Sequence, residues 1–130
     1  MAAAKLVVIG AGLIGREHCD LIRQHGGADL VGLADISEPA REYAHSNGYA
    51  FFSDYEEMLD RLIPDGAIVA LPNALHLIAG QACLSRGVPC LIEKPIAETV
   101  AAAKILVDAS ATLAVPVLVG HHRRHRQFHQ

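Results

Sequence analysis

Hydrophobic and polar positions along the chain keep two different rhythms. Residues 5–9, 30–34, 67–71, 88–92 and 115–119 are short apolar runs without internal alternation, the pattern of strands buried on both faces. A shorter run at 49–52 predicts a further strand. The stretches between have helical spacing. Residues 13–25 predict a helix with Ile14, Leu21 and Ile22 on its apolar side and Gly26-Gly27 as its stop. Ser37 is placed to cap a helix running to about residue 45, with Pro39 in the first turn. Asp54 stands three residues before Glu57, a spacing related to the capping box, and opens a helix through residue 62. Pro64-Asp65-Gly66 is turn chemistry. Residues 75–86 predict a helix with Leu75, Ile78, Ala79 and Ala82 on one face and Gly87 as its terminal signal, and Thr99 caps one over 100–110.

Strands alternating with helices imply right-handed βαβ units. The predicted fold class is therefore α/β: a doubly wound, mostly parallel six-stranded sheet with helices on both faces. Residues 1–120 form one such domain and residues 121–130 a basic His/Arg-rich tail.

Composition narrows the function classes. With 130 residues, 52% hydrophobic, and a net charge of only −3, the chain is not disordered. No apolar run reaches the roughly 18–20 residues of a membrane span, and the first apolar stretch is too short for a signal peptide. Cys19, Cys83 and Cys90 are odd in number and lack metal-ligand spacing, so buried, reduced thiols in a cytoplasmic protein are expected. Residues 1–120 hold eight Lys/Arg against fourteen Asp/Glu, a balance that argues against nucleic acid as a partner. His121, His125 and His129 would align on a helix, but no cysteine or carboxylate joins them there, so a chain terminus and not a metal site is expected.

Gly10-Ala-Gly12-Leu-Ile-Gly15 follows the first strand directly and opens the first helix, and Asp35 stands twenty residues after Gly15. That context turns a weak pattern into a dinucleotide-binding one. Gly10 allows the tight turn, Gly12 lets a pyrophosphate approach the backbone, and Gly15 lets helix pack on strand. Leu13 and Ile14 complete the turn, where free N–H groups and the helix dipole favour phosphate. Asp35 can accept from the adenosine ribose hydroxyls and would repel a 2′-phosphate, which favours NAD over NADP while leaving NADP open. Glycines that only tighten a turn, and an Asp35 that only caps the next helix, are the bland alternatives.

Ligands in open α/β sheets collect at the carboxyl ends of the strands. There the chain carries Leu71-Pro72-Asn73-Ala-Leu-His76, then Glu93-Lys94-Pro95, then His121-His122-Arg123-Arg124. A lysine in such a place suits hydride transfer, because its ammonium can hydrogen-bond the substrate oxygen as its charge develops. The bland readings are a surface lysine ending a strand, a helix-face histidine at position 76, and a packing role for His18, the one expected for that residue.

Taken together, Gly10-x-Gly12-x-x-Gly15-x-x-His18, Ala34-Asp35, Pro72-Asn73-x-x-His76 and Glu93-Lys94-Pro95 make residues 5–124 similar to one known domain. The chain resembles the N-terminal Rossmann domain of the Gfo/Idh/MocA family, which includes glucose-fructose oxidoreductase and inositol dehydrogenase. The resemblance implies hydride transfer between NAD(P) and a hydroxyl or carbonyl of a sugar, inositol or related polyol. It implies that Leu71, Pro72, Asn73 and His76 line the cofactor near its nicotinamide half. Glu93 serves the loop and cofactor, and Lys94 is the catalytic group beside the reacting carbon. Pro95 follows a bond that is commonly cis in the family, and His122 and Arg123 fall where substrate is often touched.

Family members are usually much longer. Their second, α+β domain supplies most of the substrate pocket, the oligomer interface and usually a catalytic histidine, and the expectation is that it is absent here. The expectation is a domain that binds cofactor but is catalytically incomplete alone. Two other readings stay open. One is a stand-alone NAD-sensing module, which has no use for Glu93-Lys94-Pro95. The other is an S-adenosylmethionine-dependent methyltransferase, whose sheet normally carries a reversed last strand.

Overall fold

The computed structural model describes residues 3–94 and 96–120. The elements run β1 (Ala4–Ile9), α1 (Leu13–Gln24), β2 (Ala28–Ala34), α2 (Glu38–Asn47), β3 (Phe51–Phe52), α3 (Tyr55–Leu62) and β4 (Gly66–Val69). A 3-10 turn at Asn73–Leu75 leads into α4 (His76–Ser85), followed by β5 (Cys90–Glu93), α5 (Val100–Leu113) and β6 (Val117–Gly120). The sheet order is β3-β2-β1-β4-β5-β6 and every ladder is parallel. The chain thus winds outward from β1 in one direction, crosses back, and winds outward from β4 in the other. A reversed last strand is not what β6 provides, since it runs parallel to β5, and the methyltransferase reading loses its architectural support.

Right-handed crossovers then decide the layers. On one face α1 and α2 pack over Val8 and Leu33, with Cys19, Ile22, Ala40 and Ala44 buried between. On the other, α3, α4 and α5 cover a larger core that includes Ile9, Val69, Ile92, Met58, Leu84 and Leu106. All three cysteines are buried and free, as expected.

The caps follow the sequence with one difference. Ser37 Oγ accepts the Ala40 N–H at 3.2 Å and Thr99 Oγ1 the Ala102 N–H at 3.1 Å. Asp54 caps α3 by accepting the Glu56 N–H at 2.9 Å, but Glu57 does not complete a capping box; it pairs with Arg61 one turn on. Helix α1 ends at an extended His25, and Gly26-Gly27 form the turn that follows, closed by the Ala28 N–H on the His25 carbonyl at 3.5 Å and by the Gly27 N–H on His25 Nδ1 at 3.0 Å.

Three further expectations need correction. The third strand keeps only two of its four predicted residues, because the Tyr49 N–H is used in closing α2, 2.8 Å from the Ala44 carbonyl oxygen. The fourth strand stops at Val69 and does not reach Leu71, whose carbonyl is taken by a histidine side chain. Leu21, Leu75 and Ile78 are exposed, not core. The buried residues of α4 are His76, Ala79, Gly80, Ala82, Cys83 and Leu84, so Ala79 and Ala82 are core as expected, and the small residues among them let the helix lie close to the sheet. No helix among the described residues is long and apolar enough to cross a membrane.

Candidate dinucleotide site

Because the ladders are parallel, the ends of β1, β2, β4, β5 and β6 meet at one edge, with the reversal of winding between β1 and β4. That switch point is where an open α/β sheet leaves a crevice. Gly10 leaves β1 with φ +103°, and a Cβ there would lie 2.6 Å from the Ala70 carbonyl oxygen. A Cβ on Gly15 would overlap the Gly10 carbonyl oxygen itself, so only glycine lets α1 start this close to β1. Gly12 differs: nothing lies within 4 Å of where its Cβ would be. No intrachain packing requires glycine there, which leaves approach of an outside group as its physical use. Leu13 is 60% exposed and Ile14 half-buried beside it, at a helix N-terminus with no side-chain cap. The first N–H groups of such a helix have no partners inside it.

Asp35 sits just past β2 and is tied to this turn. Its Oδ2 accepts the Ala11 N–H at 2.6 Å, while Oδ1 accepts the N–H groups of Ile36 and Ser37 at 2.6 and 3.1 Å. The cap of α2 is Ser37, so Asp35 is a turn-organising carboxylate held against the glycine loop. Ile36, next to it, is 92% exposed.

Arg16 and Tyr43 also belong here and were not singled out by the sequence pattern. Arg16 Nε donates to the Ala11 carbonyl at 2.9 Å, and its guanidinium lies 4.7 Å from the centre of the Tyr43 ring. Burial first, then Cys19 and Asp20, push the Tyr43 hydroxyl above its usual range and keep it neutral. Arginine directly after the third glycine was a visible signal; its aromatic platform on α2 was not.

The loop after β4 is shaped from beneath. His76 is 1% exposed, with Nε2 2.8 Å from the Leu71 carbonyl oxygen, and Leu75 N–H donates to the Pro72 carbonyl at 2.9 Å. Pro72 and Asn73 are exposed and Leu71 half-buried at the mouth. Hence His76 reaches the site through the loop backbone.

At the end of β5 the two neighbours diverge. Lys94 is exposed, with its N–H 2.7 Å from the Gly120 carbonyl oxygen. Glu93 is only 8% exposed and pairs with His18 on α1, Oε2 to Nε2, at 2.6 Å. His18 therefore has a polar partner from the far side of the switch point and not merely a packing role. Pro95, His122 and Arg123, together with His121, His125 and His129, lie outside the described residues. No group of three or more His, Cys, Asp or Glu among the described residues could hold a metal ion.

The family model for oxidoreductases with an NAD-binding Rossmann fold matches residues 4–121. Among curated proteins the chain is 31% identical over 125 residues to glucose-6-phosphate 3-dehydrogenase of Bacillus subtilis, covering 95% of this chain and 35% of that protein. It is 34% identical over 110 residues to inositol 2-dehydrogenase of Agrobacterium fabrum, covering 81% of this chain and 32% of that protein. Among solved structures it resembles apo scyllo-inositol dehydrogenase from Lactobacillus casei, with a TM-score of 0.86 over 92% of this chain and 37% of that one, at 22% identity. The chain spans about a third of the length of these relatives.

Proposed function

The chain belongs to the oxidoreductase family with an NAD-binding Rossmann fold, and from that premise we propose that it is the nucleotide-holding part of a dehydrogenase acting on a sugar, inositol or related polyol. The observation that carries the reading is the Asp35–Ala11 hydrogen bond, which joins the end of β2 to the glycine turn and so builds adenosine and pyrophosphate subsites as one unit. The residues fit the dinucleotide. Gly12 leaves open space above the helix N-terminus, and Asp35 offers a carboxylate already fixed by three backbone N–H groups. A carboxylate so anchored cannot swing aside to admit a 2′-phosphate, which favours NAD over NADP.

When bound, NAD supplies the hydride acceptor. The protein's part is then to place the substrate oxygen and handle its proton. We assign that role to Lys94, at the end of β5, whose ammonium donates a hydrogen bond to the oxygen and stabilises the charge that develops there. Leu71, Pro72 and Asn73 form the wall on the β4 side, and His76 holds that wall by its bond to the Leu71 carbonyl. Lys94 stands exposed, so the described residues neither enclose a substrate nor exclude water around it. We assign the remaining pocket, and any oligomer contact, to the part of the relatives that this chain does not match.

The test is calorimetric titration of the chain with NAD and NADP in parallel. Binding with a preference for NAD of at least about tenfold, roughly 1.4 kcal/mol, is expected, and Asp35→Ala should abolish that preference. Binding of neither nucleotide, or an unchanged preference in Asp35→Ala, overturns the assignment.

A further inference from the structure

A carboxylate as enclosed as Glu93, at the open edge of a sheet, needs a reason, because burying an ion costs free energy unless a partner reaches it. Two features make the place for it. Glu93 is paired in register with Gly120 of β6, and a Cβ on Gly120 would stand 3.4 Å from Oε2, so the missing side chain leaves the carboxylate its room. Along β5, Cys90 and Ile92 enter the core under α3, α4 and α5, so the alternation of a strand sends Glu93 to the α1 side. There it meets His18, 75 residues away in sequence and 2.6 Å away in space.

His18 lies one turn beyond Gly15, the residue that clamps α1 against the start of its own turn. Glu93 immediately precedes Lys94, whose N–H is held by Gly120. The pair therefore ties the helix whose N-terminus faces the phosphates to the strand that carries the lysine. Between those two elements stand β1 and β4 in the sheet, but neither side of the pair belongs to them.

We propose that His18 is a positioning residue: acting through Glu93, it holds the end of β5 in fixed register with α1, and so sets where Lys94 stands relative to a bound nicotinamide. The inference rests on the reading of Lys94 given above and assigns Glu93's carboxylate to α1 instead of to the cofactor. Without His18, Glu93 is left enclosed with its partner gone, and the strand end, not the sheet centre, is what gives way.

The experiment compares wild type with His18→Phe, which removes the ring nitrogens, and His18→Gln, which keeps a side-chain donor. Amide hydrogen exchange reads the Lys94 N–H against Val8 and Val69 in the sheet centre, and NADH emission reads the nicotinamide environment separately from affinity. In His18→Phe, Lys94 exchange should rise by about tenfold or more while the central amides keep their protection. NADH should bind with affinity within about threefold of wild type, yet lose most of its emission change. His18→Gln should restore both readings. Unchanged Lys94 exchange in His18→Phe overturns the proposal, as does a His18→Gln that restores neither reading. Where His18→Phe does not fold, Glu93→Leu, which removes the acceptor, decides from the other end: faster Lys94 exchange with a protected centre supports the link, and unchanged exchange overturns it. Failure of the wild type to bind NADH removes the functional reading instead, and the Lys94 exchange comparison then decides this one alone.

Discussion

One row of register-paired side chains crosses the sheet on the face that carries α1 and α2: Phe51, Leu33, Val8, Ile68, Leu91 and Leu118. Its two ends behave differently. Leu33 and Val8 are fully buried, Phe51, Ile68 and Leu91 are half-buried, and Leu118 is 61% exposed. On the opposite face the row Ala34, Ile9, Val69 and Ile92 stays buried throughout, and only Val119 at the edge reaches 50% exposure. The side chains are equally apolar, so composition does not separate the two ends. Winding does. The chain moves one way from β1 through β3 and the other way from β4 through β6, so right-handed crossovers put α1 and α2 on one face and α4 and α5 on the other. Beyond β4, whose Ile68 still packs against the α1 side, the α1 face of β5 and β6 is left without a covering helix among the described residues.

The same division separates the chemistry. The covered half carries the glycine turn, Asp35, Arg16 and Tyr43, all held by short hydrogen bonds or ring contacts. The half with one bare face carries Lys94, which is exposed, and Glu93, which is joined to the covered half by His18. The nucleotide site we propose thus lies on the finished side, and the proposed reacting end, at Lys94, stands exposed.

Substitutions along the row can break this comparison. Leu33→Ala should have the largest effect, a loss of about 2–5 kcal/mol in urea unfolding, because a fully buried leucine leaves a cavity. A loss below about 1 kcal/mol would mean that α1 and α2 do not seal their half.

Alkaline pH sharpens the same point through Cys19, which lies on the buried face of α1 with no exposure. Burial first, then Asp20, push its thiol from 9.0 up to about 11. The folded state therefore keeps the proton that the unfolded chain releases above pH 9. Stability should hold below pH 9 and fall as pH rises toward 11. Comparing urea midpoints at the two ends of that window, Cys19→Ala should fall less than wild type; equal falls would place the thiol in contact with water.

The smallest effect is expected of Leu118→Ala, within about 0.5 kcal/mol, since its side chain already faces solvent. A loss as large as that of Leu33→Ala would show that the face is covered in solution, and the division between the two halves would fail.

Element type and order were legible because strands and helices impose different periods on the apolar residues. The caps at Ser37, Asp54 and Thr99 were legible because they act within three residues of themselves. Helix faces were read less well. Leu21 on α1 and Leu75 and Ile78 at α4 have the spacing of a core stripe yet are exposed; of the face expected for α4, Ala79 and Ala82 are buried, together with His76, Gly80, Cys83 and Leu84. Of the site, the glycine turn and Asp35 were visible as a local pattern. The platform of Tyr43 under Arg16 and the partnership of His18 with Glu93 were not.

The sequence by itself determined the α/β alternation, the glycine turn and the residues that gather at the strand ends, because each depends on neighbours a few positions apart and on the parallel order they imply. Only the tertiary structure decided which face each helix covers, that Asp35 binds the turn instead of capping α2, and that Glu93 answers to His18. Those are contacts between segments 24 and 75 residues apart. No local preference encodes them, because they exist only once the crossovers have set which strand ends lie side by side.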